Sequence, residues 1–119
     1  MPINIMVYSD TIKLKLKAQE SCNITGNVEN IMRKSFIENG ICNVFLKGST
    51  GAVIINENEP MLLEDLRNVL EKLSNPKEIY QHVENAYSHI KAMLIGSSQQ
   101  LYWGYWKSIR SSLPWWSWR

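Results

Sequence analysis

The stretch Ile41-Cys42-Asn43-Val44-Phe45-Leu46, Lys47-Gly48-Ser49-Thr50-Gly51, Ala52-Val53-Ile54-Ile55 decides the reading of the fold. Each flanking run is rich in β-branched, aromatic and other apolar side chains, as half-buried strands are, and the polar segment between them carries chain-reversing residues. The pattern predicts two strands joined as a hairpin. The loop also holds the ingredients of an anion site, since glycines let successive backbone N–H groups converge and hydroxyls and a lysine add donors. Phosphate is the ligand that Lys47, Ser49 and Thr50 suit. The spacing is not that of a nucleotide-binding P-loop, which runs into a helix where this chain reads as strand. A plain hairpin loop is the simpler reading of the same residues.

On the N-terminal side, residues 11 to 17 alternate strictly, with Ile12, Leu14 and Leu16 on one face and Lys13, Lys15 and Lys17 on the other. A strand with one wet face is expected there. Turn and capping residues at 22–26 precede Val28, Ile31, Met32, Ser35 and Phe36, the spacing of one helical stripe, and Asn39-Gly40 is expected to end that helix.

On the C-terminal side, Pro60 suits a first helical position, and Leu62, Leu63, Leu66, Val69, Leu70 and Leu73 then make a wide apolar face. Asn75-Pro76-Lys77-Glu78 reads as a fresh N-terminal cap, opening a further helix that carries Ala86, Ile90, Met93 and Leu94 and closes at Gly96. The order is strand, helix, hairpin, helix, helix, and a final strand in an aromatic tail. Clustered helices after strands point to an α+β fold with a mainly antiparallel sheet or sandwich and two to three helices. One domain over residues 1–119 is expected, with an atypical tail at 99–119.

The formal net charge of +2 excludes binding that depends on neutralising many phosphates of a nucleic acid. Cys22 and Cys42 make neither a disulfide framework nor a zinc-ribbon spacing. No apolar run is long enough to span a bilayer, and MPINIMVYSD lacks the basic and apolar regions of a signal peptide, so a cytoplasmic protein is expected. The last acidic residue is Glu84, and Trp103, Trp106, Trp115, Trp116 and Trp118 all follow it. Gly104 and Pro114 interrupt any amphipathic stripe that would lay this tail on a membrane.

Glu57 and Asp65 supply hard oxygen donors of the kind that hold magnesium against a phosphate, although acidic residues near a helix start also suit its dipole. His82 and His89 are the chain's two histidines. On one continuous helix they share a face with Asn85 and Ala86, and two turns set them ~10 Å apart, too far to ligate one metal together. Their closeness to Asn85 and Ser88 makes them candidates for proton transfer or substrate binding.

The run from Gly40 to Asn58, then Leu63-Glu64-Asp65-Leu66, then Ser88-His89-Ile90-Lys91-Ala92-Met93-Leu94-Ile95-Gly96, resembles the YjbQ-type family, which is associated with a secondary thiamine-phosphate synthase activity. Gly104-Tyr105-Trp106-Lys107 looks like that family's late GTWQ motif. The likeness covers roughly residues 11 to 98. It implies a homotrimer with a polar pocket near the subunit contacts, and an enzyme that joins a pyrimidine diphosphate to a thiazole phosphate with release of pyrophosphate. In that setting Lys47, Ser49 and Thr50 bind phosphate, and Asn56, Asn85 and Trp106 contact the substrate. Glu57 or Asp65 holds magnesium, and His82 or His89 positions or protonates the leaving group. A non-catalytic phosphometabolite-binding trimer, or an inactive copy, is the alternative. The chain departs from the family in passing almost at once from Ser97-Ser98 to Trp103-Gly104, where a further strand is usual, and in residues 110–119.

Overall fold

The two runs flanking the Lys47–Gly51 loop are strands, β2 (Ile41–Phe45) and β3 (Ala52–Ile55), but they do not pair with each other. In the computed structural model, which describes residues 5–17, 20–109 and 115–118, two small antiparallel sheets replace the expected hairpin. β2 pairs with β4 (Ser98–Tyr102) in the register Ile41 to Tyr102. β3 pairs with β5 (Trp115–Trp118), whose other edge takes β1 (Ser21–Asn23). The Gly96-Ser97 backbone explains the separation. Leu46 N–H donates to Ser97 O at 2.7 Å and Val53 N–H to Gly96 O at 3.1 Å, so this corner takes bonds that a hairpin would have made between the strands.

β4 is also a correction, because it occupies the segment read as having lost its strand. Residues 11–17 are corrected in the opposite sense. They carry no strand ladder, and Leu14 is 39% exposed, while Ile12 packs half-buried against the core. An alternating sequence becomes a strand only beside a partner edge, and the described residues give this segment none.

Helix α1 (Thr25–Lys34) stops five residues before the expected Asn39-Gly40. Ser35 Oγ donates to Met32 O and accepts from Ile37 N–H, and Phe36 follows at φ 59°, which ends the helix and turns its ring 87% exposed. Helix α2 (Pro60–Leu73) is as the leucine spacing predicts. Its cap is Glu59, whose carboxylate accepts from Met61 N–H at 3.1 Å and Leu62 N–H at 2.7 Å, satisfying two of the free donors of the first turn.

Residues 75–85 are turns and bends, not the start of a helix, so α3 is confined to Ala86–Ile95. Asn75 does hold the first turn, accepting from Lys77 N–H and Glu78 N–H, but Ile79 and Val83 beyond it are 99% and 86% exposed. This apolar pair finds no core to pack against, and the turn does not propagate. A fourth helix, α4 (Trp103–Ile109), opens the tail.

β3 separates two cores because successive residues of a strand face opposite ways. Val53 joins Ile24, Val28, Trp103 and Trp106, while Ala52 joins Leu63 with Leu66, Leu70 and Ile95 around it. No helix among the described residues is long and apolar enough to cross a membrane.

Candidate functional site

Because residues 75–85 do not continue α3, His82 is not two helical turns from His89. The two rings meet edge to face, with centroids 5.3 Å apart and planes at 78°. The loop folds back through Tyr80, whose hydroxyl donates to Asn75 O, and brings His82 over the first turn of α3. There His82 Nε2 lies 2.9 Å from Asn85 Oδ1. A carbonyl oxygen only accepts, so Nε2 carries a proton there, and in the neutral tautomer Nδ1 is the ring's acceptor. Asn85 also starts the helix, its carbonyl accepting from Ser88 N–H at 3.0 Å and His89 N–H at 3.3 Å.

The platform under this pair is fastened to α2 at two points. Ser74, 1% exposed, donates its hydroxyl to Tyr87 O at 3.0 Å, and Lys91 pairs with Glu71 while its ammonium sits 5.6 Å from the Tyr87 ring centre. His82 is exposed and His89 half-buried, so the pair has a supported side and an open side.

The other residues singled out in the sequence do not join it. Lys47 and Ser49 are exposed and Thr50 half-buried, and Lys47 and Thr50 line a groove of about 1190 Å³ whose walls hold neither histidine. Asn56 is engaged locally, accepting from Glu57 N–H at 2.8 Å. Glu57 and Asp65 are both exposed, and no group of three or more His, Cys, Asp or Glu among the described residues is placed to hold one metal ion. Trp106 is 1% exposed and donates its indole N–H to Glu29 Oε1 at 3.3 Å, a core position and not a surface for substrate. Burial raises the pKa of the Cys42 thiol above its ordinary value of 9.0, making it a poor nucleophile.

Sequence reasoning missed Ser74, Glu29 and the meeting of the histidines. No clear signal marked the last, because Ile79, Val83, Ala86 and Ile90 keep the spacing of one helical stripe and so favoured a continuous helix.

The model of UPF0047 protein YjbQ-like matches residues 10–104. A UPF0047 protein of Methanothermobacter thermautotrophicus is 40% identical over 97 residues, covering 78% of this chain and 68% of that one, and one of Methanocaldococcus jannaschii is 31% identical over 98 residues, covering 81% and 70%. Among solved structures, a yjbq/upf0047 protein of Clostridium acetobutylicum superposes with a TM-score of 0.78 at 29% identity, covering 87% of this chain and 82% of that one. A YbjQ-like protein of unknown function from Sulfolobus solfataricus gives 0.74 at 28% identity, covering 86% and 77%. None of these relatives is described as making thiamine phosphate, and their names give only the family or state that the function is unknown, which overturns the expected joining of pyrimidine diphosphate to thiazole phosphate. What the matches over four-fifths of the sequence establish is that the chain belongs to the YjbQ (UPF0047) family.

Proposed function

We propose that His82 and His89 form a two-histidine site for a borderline divalent metal ion such as zinc, with the remaining coordination positions open to a small anionic ligand. The observation that carries this reading is the ring separation. Two imidazoles bound through nitrogen at ~2.1 Å to one ion must both turn a ring nitrogen toward it; the centroids here are 5.3 Å apart, close enough for that, and because the rings meet edge to face one of them turns about its side-chain bonds when the ion binds. Asn85 supplies the outer contact such a ligand needs, since a metal-bound histidine donates its second ring N–H to a carbonyl or carboxylate that fixes its tautomer.

Imidazole pairs select zinc, nickel or copper over magnesium, which prefers oxygen donors. A metal held by two protein ligands keeps positions for water or for the oxygens of a bound anion, and it polarises whatever occupies them. A small phosphorylated metabolite provides oxygens of that kind. Assembly as a homotrimer belongs to the same reading, and it is supported by the outward face of β2 and β4, where Ile41, Phe45 and Tyr102 are 78%, 59% and 52% exposed.

Calorimetric titration of the protein with zinc chloride tests the site. His82→Ala and His89→Ala should each weaken binding by at least ~10-fold, and Asn85→Ala by ~10- to 100-fold. Equal affinity in the parent and the double histidine variant overturns the proposal.

A further inference from the structure

Residues 35–48 all line the groove of about 1190 Å³, so it runs from the end of α1 along the whole of β2 and into the loop that begins at Lys47. Its floor is apolar. Val28 of α1 belongs to the Val53 core, and Met32, Val44, Leu46 and Ile12 pack half-buried against it. Tyr8, Leu14 and Phe36 stand exposed among the lining residues, which leaves their apolar surface open to water.

Charge is placed unevenly around this surface. Lys47 takes part in no ion pair among the described residues, and its loop is fastened at both ends, by Leu46 N–H to Ser97 O and Val53 N–H to Gly96 O. Gly48 beside it faces open space, since a Cβ there would meet no atom within 4 Å. Thr50 adds a hydroxyl to the lining and Lys13 a second cation. Of the two lining carboxylates, Asp10 is turned onto Thr11 N–H at 2.7 Å, and Glu38 lies past the opposite end of β2 from Lys47. The five residues of that strand, at ~3.3 Å each, set ~17 Å between the two ends.

We propose that the groove binds one fatty acid, with its carboxylate at Lys47 and Thr50 and its alkyl chain laid along β2. Shape, polarity and charge each select that occupant. A volume above the ~300–1,000 Å³ usual for small-molecule pockets, drawn out along one strand, suits a linear chain better than a compact ring system. The apolar floor rewards every methylene that leaves water. One lysine without an ion-pair partner balances a single negative charge, and Glu38 repels an anion at the other end, so the chain enters in one orientation.

The test uses the full chain with a chelator present, so that the histidine site holds no metal, and calorimetric titration with sodium dodecanoate below the concentration at which it forms micelles. One molecule per chain is expected, with butanoate failing to compete and dodecyltrimethylammonium binding at least ~10-fold more weakly. Leu14→Asp should weaken dodecanoate by at least ~10-fold without moving the melting temperature, because Leu14 is 39% exposed. Lys47→Ala should have the same effect, and Lys47→Glu should remove the preference for the anion. Lys34→Ala, at an exposed cation outside the groove, should bind as the parent does. Absence of binding, many molecules per chain, equal affinity for the anionic and cationic amphiphiles, or unchanged binding in Leu14→Asp and Lys47→Ala overturns the proposal. So does sedimentation with phosphatidylglycerol vesicles by a protein that takes up no monomeric dodecanoate, because the apolar lining would then serve a membrane surface.

Discussion

The Trp106 indole N–H donates to Glu29 Oε1 across 77 positions of sequence, joining α4 to the middle of α1. Glu29 is a buried carboxylate, and its second oxygen pairs with Arg33 at 3.0 Å. The two contacts differ in worth. Arg33 is 54% exposed, so solvent screens the pair and its loss is expected to cost under ~1 kcal/mol. The indole bond lies inside the core, and removing its donor leaves a desolvated oxygen. Trp106→Phe is expected to destabilise the fold by ~1–3 kcal/mol, and Arg33→Ala by less, in urea denaturation. Equal midpoints for Trp106→Phe and the parent would show that the bond contributes nothing net.

The cap of α2 gives a second measurable difference. Glu59 takes two backbone N–H groups at once and places negative charge at the positive end of the helix. Glu59→Ala should cost about 1 kcal/mol, and Glu59→Gln less, because the amide oxygen still accepts. Thermal melts of the three proteins should rank in that order.

How far the fold is legible depends on how local each element is. Pro60 and the leucines of α2 specify their helix through neighbours three and four residues away, and the structure follows them. The pairing of β2 and β3 is not written locally. Their side-chain patterns permit a hairpin, but the Gly96-Ser97 corner, more than forty residues on, claims Leu46 and Val53. Residues 11–17 show the same limit, since alternation specifies a strand only when a partner edge arrives. At the candidate site, the residue types His82, Asn85 and His89 were readable and their distance was not, because it hangs on where α3 begins. Trp106 lies within a motif-like run, yet its burial against Glu29 depends on α1, far back in the chain.

Cys42 makes a prediction about pH. Its half-buried thiol has a pKa raised above 9.0 by desolvation, so between the unfolded value and the raised folded value the native state holds a proton that the unfolded chain has lost. Stability therefore falls as pH rises through that window, and Cys42 adds nothing to pH dependence below it. Cys42→Ser should flatten the decline of melting temperature above pH 9.0. In the folded parent at pH 8, mass spectrometry should find Cys42 alkylated by iodoacetamide more slowly than in urea. The two rates would coincide if the thiol were as accessible as in the open chain.

Two glycines with equally open surroundings should respond in opposite directions to the same substitution. A Cβ built on Gly26 or on Gly96 meets no atom within 4 Å, so space does not distinguish them. Backbone conformation does. Gly26 lies in the first turn of α1, where alanine is the better helix former and narrows the unfolded ensemble, so Gly26→Ala is expected to stabilise by up to ~1 kcal/mol. Gly96 has φ +101°, a region that L side chains rarely adopt, and there it ends α3 while its carbonyl receives the Val53 N–H. Gly96→Ala must either hold that strained conformation or release the bond to β3, at an expected cost of ~1–3 kcal/mol. Urea midpoints of the two variants should lie on opposite sides of the parent. A Gly96→Ala midpoint at or above the parent would mean that the corner between β3 and β4 relaxes freely, and the separation of the two strands would then need another cause.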